Sequence, residues 1–338
     1  MFTSLRPMLF FCFQLFISAI LSQGFLEVDQ ITQRADFQGL TLENLAVRSN
    51  NQILVTTSSP HASLYQISPS HAYPPVKVAS FPNVKAAHGI VELTPNKFYV
   101  IGTDSTISKT VPKSSHVFEV DMTSFRAANG NVVRPAKVHK VADLPRASFP
   151  SDVTVTLSSS TVILVADERA GHVWRVDIST GEVTQIREDA SMSALGGTGV
   201  GINGIKVVQS CGNRYLYYTN TSKKSLYQAL IKPLGAIDGP PQTLLGGIAY
   251  SDFDVDSNGV VYLTSSGGGL YNVGAGPSAG DDSQAPSSLV DQGALAGATS
   301  VRFGRGNNKQ ILYVTTNTKA GGSVSSVDTS GILSTNSC

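Results

Sequence analysis

Residues 151–186 read SDVTVTLSSSTVILVADERAGHVWRVDISTGEVTQI, and they decide the fold. Four short β-branched runs lie within them: Ser151-Asp-Val-Thr-Val155, Val162-Ile-Leu-Val-Ala166, His172-Val-Trp-Arg-Val176 and Glu182-Val-Thr-Gln-Ile186. Ser, Thr, Gly and Asp separate the runs. Such spacing predicts four strands joined by turns and no long amphipathic helix. The second run is the most strongly apolar of the four.

The unit recurs along the chain. Its opening, two polar or small residues followed by alternating apolar positions, appears as Glu43-Asn-Leu-Ala-Val47, His88-Gly-Ile-Val-Glu-Leu93, Ser151-Asp-Val-Thr-Val155, Asn203-Gly-Ile-Lys-Val207, Ser251-Asp-Phe-Asp-Val255 and Thr299-Ser-Val-Arg-Phe303. The same continuation follows, for example Gln52-Ile-Leu-Val-Thr56 in the first unit, Lys97-Phe-Tyr-Val-Ile101 in the second and Val260-Val-Tyr-Leu263 in the fifth. Four-stranded units repeated at roughly 50 residues make a β-propeller. The sixth unit ends after its third strand, Gly322-Ser-Val-Ser-Ser-Val327, while the N-terminal run Phe25-Leu-Glu-Val-Asp-Gln-Ile31 belongs to no unit. Pairing the two closes the ring and leaves no open edge. The expected fold is therefore all-β: one six-bladed propeller over residues 23–338, with four antiparallel strands per blade.

Composition agrees. Only 14% of the 338 residues are charged, against roughly 25% in ordinary soluble domains. Lys and Arg number 25, Asp and Glu 24. This balance provides no basic stripe, so a nucleic-acid partner is not expected. Arg6 precedes the apolar run of residues 8–21. That run is short for a membrane span and suits a signal peptide over residues 1–22. No second long apolar run follows, so the processed chain is expected in the secretory lumen or outside the cell, without a membrane partner. Cys12 leaves with the signal, and Cys211 and Cys338 are expected to form one disulfide. Asn220-Thr-Ser is a glycosylation sequon.

The repeat also locates a site. Innermost strands of a propeller line its channel, and the loops entering them crowd one face. Glu43, His88, Ser151, Asn203, Ser251 and Thr299 therefore form one ring, and Asn44, Gly89, Asp152, Gly204, Asp252 and Ser300 the next. One polar residue at a strand start commonly satisfies backbone groups; Glu43, His88, Asp152 and Asn203 converging suggest a pocket. Phe149, Met192, Tyr250 and Phe253 flank the ring, either as core or as an apolar wall for a ligand. Residues 103–115 could form a lid, and residues 274–287 a surface loop on the opposite face. The Gly-rich stretch 191–202 lacks the strand–turn–helix setting of a phosphate site. No Gly-x-Ser-x-Gly elbow occurs, and the six histidines show no zinc spacing.

Four segments resemble a known family: LENLAVRSNNQILVT (42–56), VADERAGHVWRVD (165–177), GINGIK (201–206) and YTNTS (218–222). They are similar to the senescence-marker-protein/gluconolactonase-like six-bladed propellers, particularly a secreted fungal branch, and the likeness runs over essentially the whole processed chain. For lactonases of this family the resemblance implies a central calcium held by a blade-1 Glu, Asn residues of blades 3 and 4 and a blade-5 Asp. Glu43 and Asn203 match those positions. Ser151 and Ser251 depart from them, unless the register slips to Asp252. The ligand set is incomplete, so no cofactor is expected; a calcium, if bound, would sit on Glu43, Asn203 and Asp252.

The chain looks closer to the hetero-Diels–Alderases of tropolonic sesquiterpenoid biosynthesis. That resemblance implies coupling of a tropolone-derived quinone methide to a humulene-type sesquiterpene, with small apolar polyketide and terpene partners. The position and chemistry of the residues suggest the roles. His88, Asp152 and Glu43 are acid/base candidates. Asn44, Ser151, Asn203, Ser251, Asp252 and Thr299 are substrate-binding polar groups, and Phe149, Tyr250 and Phe253 an apolar wall. A calcium-dependent lactonase and a non-catalytic ligand-binding propeller are the alternatives.

Overall fold

A computed structural model describes residues 31–332 apart from 71, 107–108, 187, 275–285 and 291–292. Six four-stranded antiparallel sheets account for most of it. The innermost strands, in blade order, are Thr41–Val47, Ala86–Thr94, Pro150–Val155, Ile202–Ser210, Tyr250–Val255 and Ala298–Phe303. Each packs against the next, and the sixth packs against the first, so the blades form a closed ring.

The blade quoted first shows why. Val162–Asp167 is buried along its whole length. Side chains alternate between the faces of a strand. Val162, Leu164 and Ala166 therefore enter the core shared with blade 4, while Ile163 and Val165 enter the core shared with blade 2. A strand covered on both faces has no polar face to show, which explains the unbroken apolar run. Six such clusters lie between six pairs of neighbouring blades.

The ring is closed by Ile31–Gln38, which pairs antiparallel with Gly321–Asp328 and completes blade 6. The expected closing run 25–31 meets this strand at Ile31; residues 25–30 lie outside the described residues, and Thr32–Gln38 went unread in the sequence. Polar residues of Ile31–Gln38 hid it, because an outermost strand faces solvent on one side. Only Ala35 and Phe37 are buried.

Two hairpins extend beyond the blades. Ser105–Thr106 pairs with Lys109–Thr110 within the expected lid. Arg126–Ala128 pairs with Asn131–Arg134 in the connection between the third and fourth strands of blade 2. Residues 275–285 of the expected surface loop lie outside the described residues. Among the described residues no helix is long and apolar enough to cross a membrane.

Residues 1–22, the expected signal, and Cys338 of the expected disulfide also lie outside the described residues. Cys211 sits in the turn between Ile202–Ser210 and Asn213–Asn220, with φ of 48°. The sequon expectation is corrected. Asn220 is fully buried, its Nδ2 donates to the carbonyls of Ser191 and Ser193 at 2.8 and 2.9 Å, and its Oδ1 accepts from Lys223 N–H. A glycan would replace one of these two N–H donors and would have to fit in a buried site, so Asn220 anchors the 191–202 loop instead. Met192 of that loop is core.

Candidate functional site

The ladder of every innermost strand breaks at the same place. Pairing with the second strand shifts register between Leu42 and Leu45, Ala87 and Ile90, Pro150 and Asp152, Ile202 and Ile205, Tyr250 and Phe253, and Ala298 and Ser300. The residues skipped are the ring residues expected from the repeat. A bulge bends its strand and re-aims side chains; six of them in register turn six segments toward one channel.

Second-strand threonines satisfy the backbone freed in this way. The Thr56 hydroxyl accepts from Asn44 N–H at 3.0 Å and donates to the His88 carbonyl at 2.7 Å. Thr219 does the same between Gly204 N–H and the Ser251 carbonyl. Each Thr thereby ties a bulge to the next blade. Glycine is required at two ring positions because the neighbour comes so close. A Cβ on Gly89 would lie 2.7 Å from the Asp152 Cα, and one on Gly204 would lie 2.7 Å from Asp252 Oδ1.

Two layers result. The upper layer opens into a cavity of about 320 Å³, bordered by Glu43, Ser151, Asn203, Ser251 and Thr299, with Phe149 and Glu168 from the loops above. A second hollow of about 330 Å³ adjoins it, lined by His88, Ser58, Pro60, Lys85 and Ser105 and sharing Glu43 and Phe149 with the first.

The lower layer is a floor of satisfied polar groups. Asp152 Oδ1 accepts from Asn44 Nδ2 at 2.9 Å, and Oδ2 accepts from Ile205 N–H at 2.9 Å. Asp252 accepts from Phe253 N–H at 2.7 Å, the Ser300 hydroxyl at 2.6 Å and Arg302 Nη1 at 2.5 Å. Arg302 reaches Asp152 at 3.5 Å on its other arm. Asp254 pairs with Lys206 just beyond. Burial, and then the charge of Asp252, raises the pKa of Asp152 against the pull of Arg302.

This changes the expected roles. Asp152 and Asn44 border the cavity, but their polar groups serve the floor. Tyr250 and Phe253 are not a substrate wall: both are buried in the core between blades 4 and 5. Phe149 does line both hollows. Asn203 donates to Thr221 Oγ1 at 3.1 Å, and the Ser151 hydroxyl has no hydrogen-bond partner among the described residues.

Glu168 escaped the sequence reading. It follows the second strand of blade 3, in one of the loops that crowd the site face. The apolar run ending in an acid pair, Asp167-Glu168, was the available signal. Asp167 builds the corner, accepting from Ser148 and Phe149 N–H at 2.8 Å each and from Trp174 Nε1 at 3.1 Å. It thereby fixes both Phe149 and Glu168 over the cavity. Arg169 lies over the Phe149 ring at 4.6 Å.

Burial sets the proton affinities. It pushes Glu43 up to about 6 against a hydrogen bond from Ser58. Glu168 is pushed up to about 8, first by burial and then by the charge of Glu43. At neutral pH the pair therefore holds one acid and one base. Burial pulls His88 down to about 4. It stands neutral, with Nε2 3.0 Å from Thr103 Oγ1 and its ring edge-on to Phe149 at 4.9 Å.

Calcium does not suit these residues. It takes six to eight oxygen ligands, several of them charged. Ser151 and Ser251 are neutral, and the Asp252 carboxylate is directed to Arg302, so a metal drawing on it would face a guanidinium. Among the described residues no three His, Cys, Asp or Glu side chains are grouped to hold an ion.

No family model matches the chain. A Phoma sp protein named "Putative hetero-Diels-Alderase" is 29% identical over 308 residues, a match covering 82% of this chain and 84% of that protein. A Sarocladium schorii protein, "Putative hetero-Diels-Alderase asR5", is 27% identical over 332 residues, covering 82% and 75%. Among solved structures, the calcium-binding protein regucalcin from Agrobacterium tumefaciens superposes with a TM-score of 0.60 at 14% identity, covering 88% of this chain and 93% of that one. That likeness concerns the fold. The chain is thus similar to proteins named hetero-Diels–Alderases, as the resemblance read from the sequence implied, and shares its propeller fold with regucalcin.

Proposed function

We propose that the protein is a pericyclase that joins a tropolone-derived quinone methide to a humulene-type sesquiterpene by an intermolecular hetero-Diels–Alder reaction. The similarity to proteins named hetero-Diels–Alderases supports the reaction class. One observation carries the mechanism: Glu43 and Glu168 share a cavity beside Phe149, where burial raises the proton affinity of both and the charge of Glu43 raises that of Glu168 further.

The quinone methide forms from a hydroxymethyl tropolone by loss of water. Glu168 gives its proton to the departing hydroxyl, the C–O bond breaks, and water leaves. Glu43 takes the proton of the ring hydroxyl, so the product is neutral. General acid–base help of this kind contributes about 10²- to 10⁴-fold. The carbon–carbon and carbon–oxygen bonds then form together, with no further proton transfer. Holding both partners against Phe149 in the adjoining hollows removes part of the bimolecular entropy cost. Neutral His88 and the Ser151 hydroxyl orient the tropolone oxygens.

In this reading the partners are small apolar polyketides and terpenes, no metal or cofactor takes part, and the protein works in the secretory lumen or outside the cell. The Arg6 and 8–21 signal pattern supports that location.

The test is direct. Purified protein is mixed with a hydroxymethyl tropolone precursor and a humulene-type alcohol, and the adduct is followed by chiral chromatography with mass detection. Faster formation of one stereoisomer than in buffer supports the reading. A rate and isomer ratio equal to buffer overturn it.

A further inference from the structure

A further cavity lies at the opposite end of blade 1. Thr41–Val47 begins at the upper site, and Arg48 follows its last residue. Arg48 is 7% exposed. Its Nη1 donates to Gln66 Oε1 at 2.8 Å and its Nη2 to Asn96 Oδ1 at 2.7 Å. Its Nε has no partner among the described residues. Both acceptors are neutral carboxamides. Among the described residues, no carboxylate forms an ion pair with Arg48. Glu92 is engaged elsewhere, with Arg305 at 2.6 Å and Asn96 N–H at 2.7 Å. Glu92 acts on Arg48 only through its charge at a distance, so the buried guanidinium, whose hydrogen bonds go to neutral groups, still gains from an anion brought into contact with it.

Arg48 borders a hollow of about 590 Å³. The Arg126–Ala128 and Asn131–Arg134 hairpin forms its far wall. The hairpin turns through Asn129 and Gly130, both at positive φ, and Gly130 leaves room for Pro74, which a Cβ would approach to 3.3 Å. Phe125 stands 5.8 Å from the guanidinium, and Tyr73, half exposed, flanks the mouth. Arg126 adds a second cation, and none of the lining residues is acidic. The volume falls in the range of small-molecule sites, roughly 300–1,000 Å³.

We propose that this hollow is a second ligand site, separate from the upper cavity, for a small molecule with one carboxylate on a flat apolar body. The carboxylate meets Arg48, and the body lies against Phe125, Pro74 and Tyr73. One buried charge sets the preference for a monoanion; the aromatic and Pro walls set the preference for a flat body. The hairpin that covers the site is an insertion in blade 2; among the described residues no other blade carries a two-stranded sheet between its third and fourth strands.

The test uses the full chain and 2-naphthoate as the probe, followed by calorimetric or fluorescence titration. Binding of one naphthoate per chain is expected, with the neutral isostere 2-naphthamide at least about tenfold weaker, a difference of about 1.4 kcal/mol. Arg48→Gln weakens naphthoate by a similar factor. Tyr73→Ala, at an exposed rim where folding is not at stake, weakens it severalfold and decides the matter if Arg48→Gln does not fold. Three results overturn the proposal: no saturable naphthoate binding, equal binding of acid and amide, or affinity lost in Glu168→Gln and unchanged in Tyr73→Ala. The last would place the probe in the upper cavity.

Discussion

Glu43 and Glu168 face the upper cavity; Asp152 and Asp252 lie just below them in the floor. The floor pair is buried and the upper pair half-buried, and their surroundings differ. The floor acids accept from backbone N–H groups, from Asn44 and Ser300, and from Arg302. The upper pair has each other, Ser58, the charge of Arg169 acting on Glu168, and open space. Proton transfer to a ligand needs an oxygen that is not already held, so the chemistry belongs to the upper pair and the architecture to the floor.

The largest effect expected from breaking this contrast is in the floor. Arg302→Met leaves Asp152 and Asp252 without their counter-charge. Removing one partner of a buried pair costs about 3–5 kcal/mol. The denaturant midpoint should fall steeply, and an unchanged midpoint would show that the floor acids need no cation.

Next comes the upper pair. Glu168→Gln removes the acid without changing shape, so adduct formation should slow by about a hundredfold or more while the fold is kept. The wild-type rate should follow a bell, falling below about 6 as Glu43 is protonated and above about 8 as Glu168 loses its proton. The stability sign follows from the same shift. Glu168 binds its proton more tightly when folded, so the native state holds more protons between its unfolded value and about 8, and stability falls as pH rises through that window. Glu168→Gln should escape that fall. Its melting temperature should therefore gain on wild type from pH 5 to pH 8; a constant difference would mean that the Glu168 pKa is not raised.

How much of this was legible in the sequence depended on periodicity. The apolar run Val162-Ile-Leu-Val-Ala166 and its five counterparts carried blade number, strand order and the ring register, because burial on both faces forces a pattern that repeats. Thr32–Gln38 went unread because an outer strand need not be apolar. Tyr250 and Phe253 were legible as core or wall but the choice between them was not, since their strand places aromatic residues at a bulge, where alternation fails. Glu168 was hidden because loops do not repeat, and Arg302 because its role depends on acids roughly 50 and 150 residues earlier in the chain.

A smaller effect tests the ring spacing. Gly89 lets blade 2 approach Asp152, and a Cβ there would meet backbone atoms at 2.7–2.9 Å. Backbone cannot step aside as a side chain can. Gly89→Ala should therefore cost about 1–3 kcal/mol, as overpacking does, and should lower the rate more than its loss of stability explains, because Asp152 and the adjoining Ser151 would shift together. A variant as stable as wild type would show that the blades are not in contact there.

The smallest effect separates orientation from proton transfer. Ser151 borders the cavity, and its hydroxyl has no partner among the described residues. Ser151→Ala removes no native hydrogen bond, so stability should stay within about 0.5 kcal/mol of wild type. If the hydroxyl orients a tropolone oxygen, the variant should lose a few-fold in rate and some stereochemical selectivity, while the limbs of the pH profile near about 6 and about 8 stay in place, because Glu43 and Glu168 are untouched. A shift of either limb would instead tie Ser151 to the acid pair, and full retention of rate and selectivity would remove it from the site.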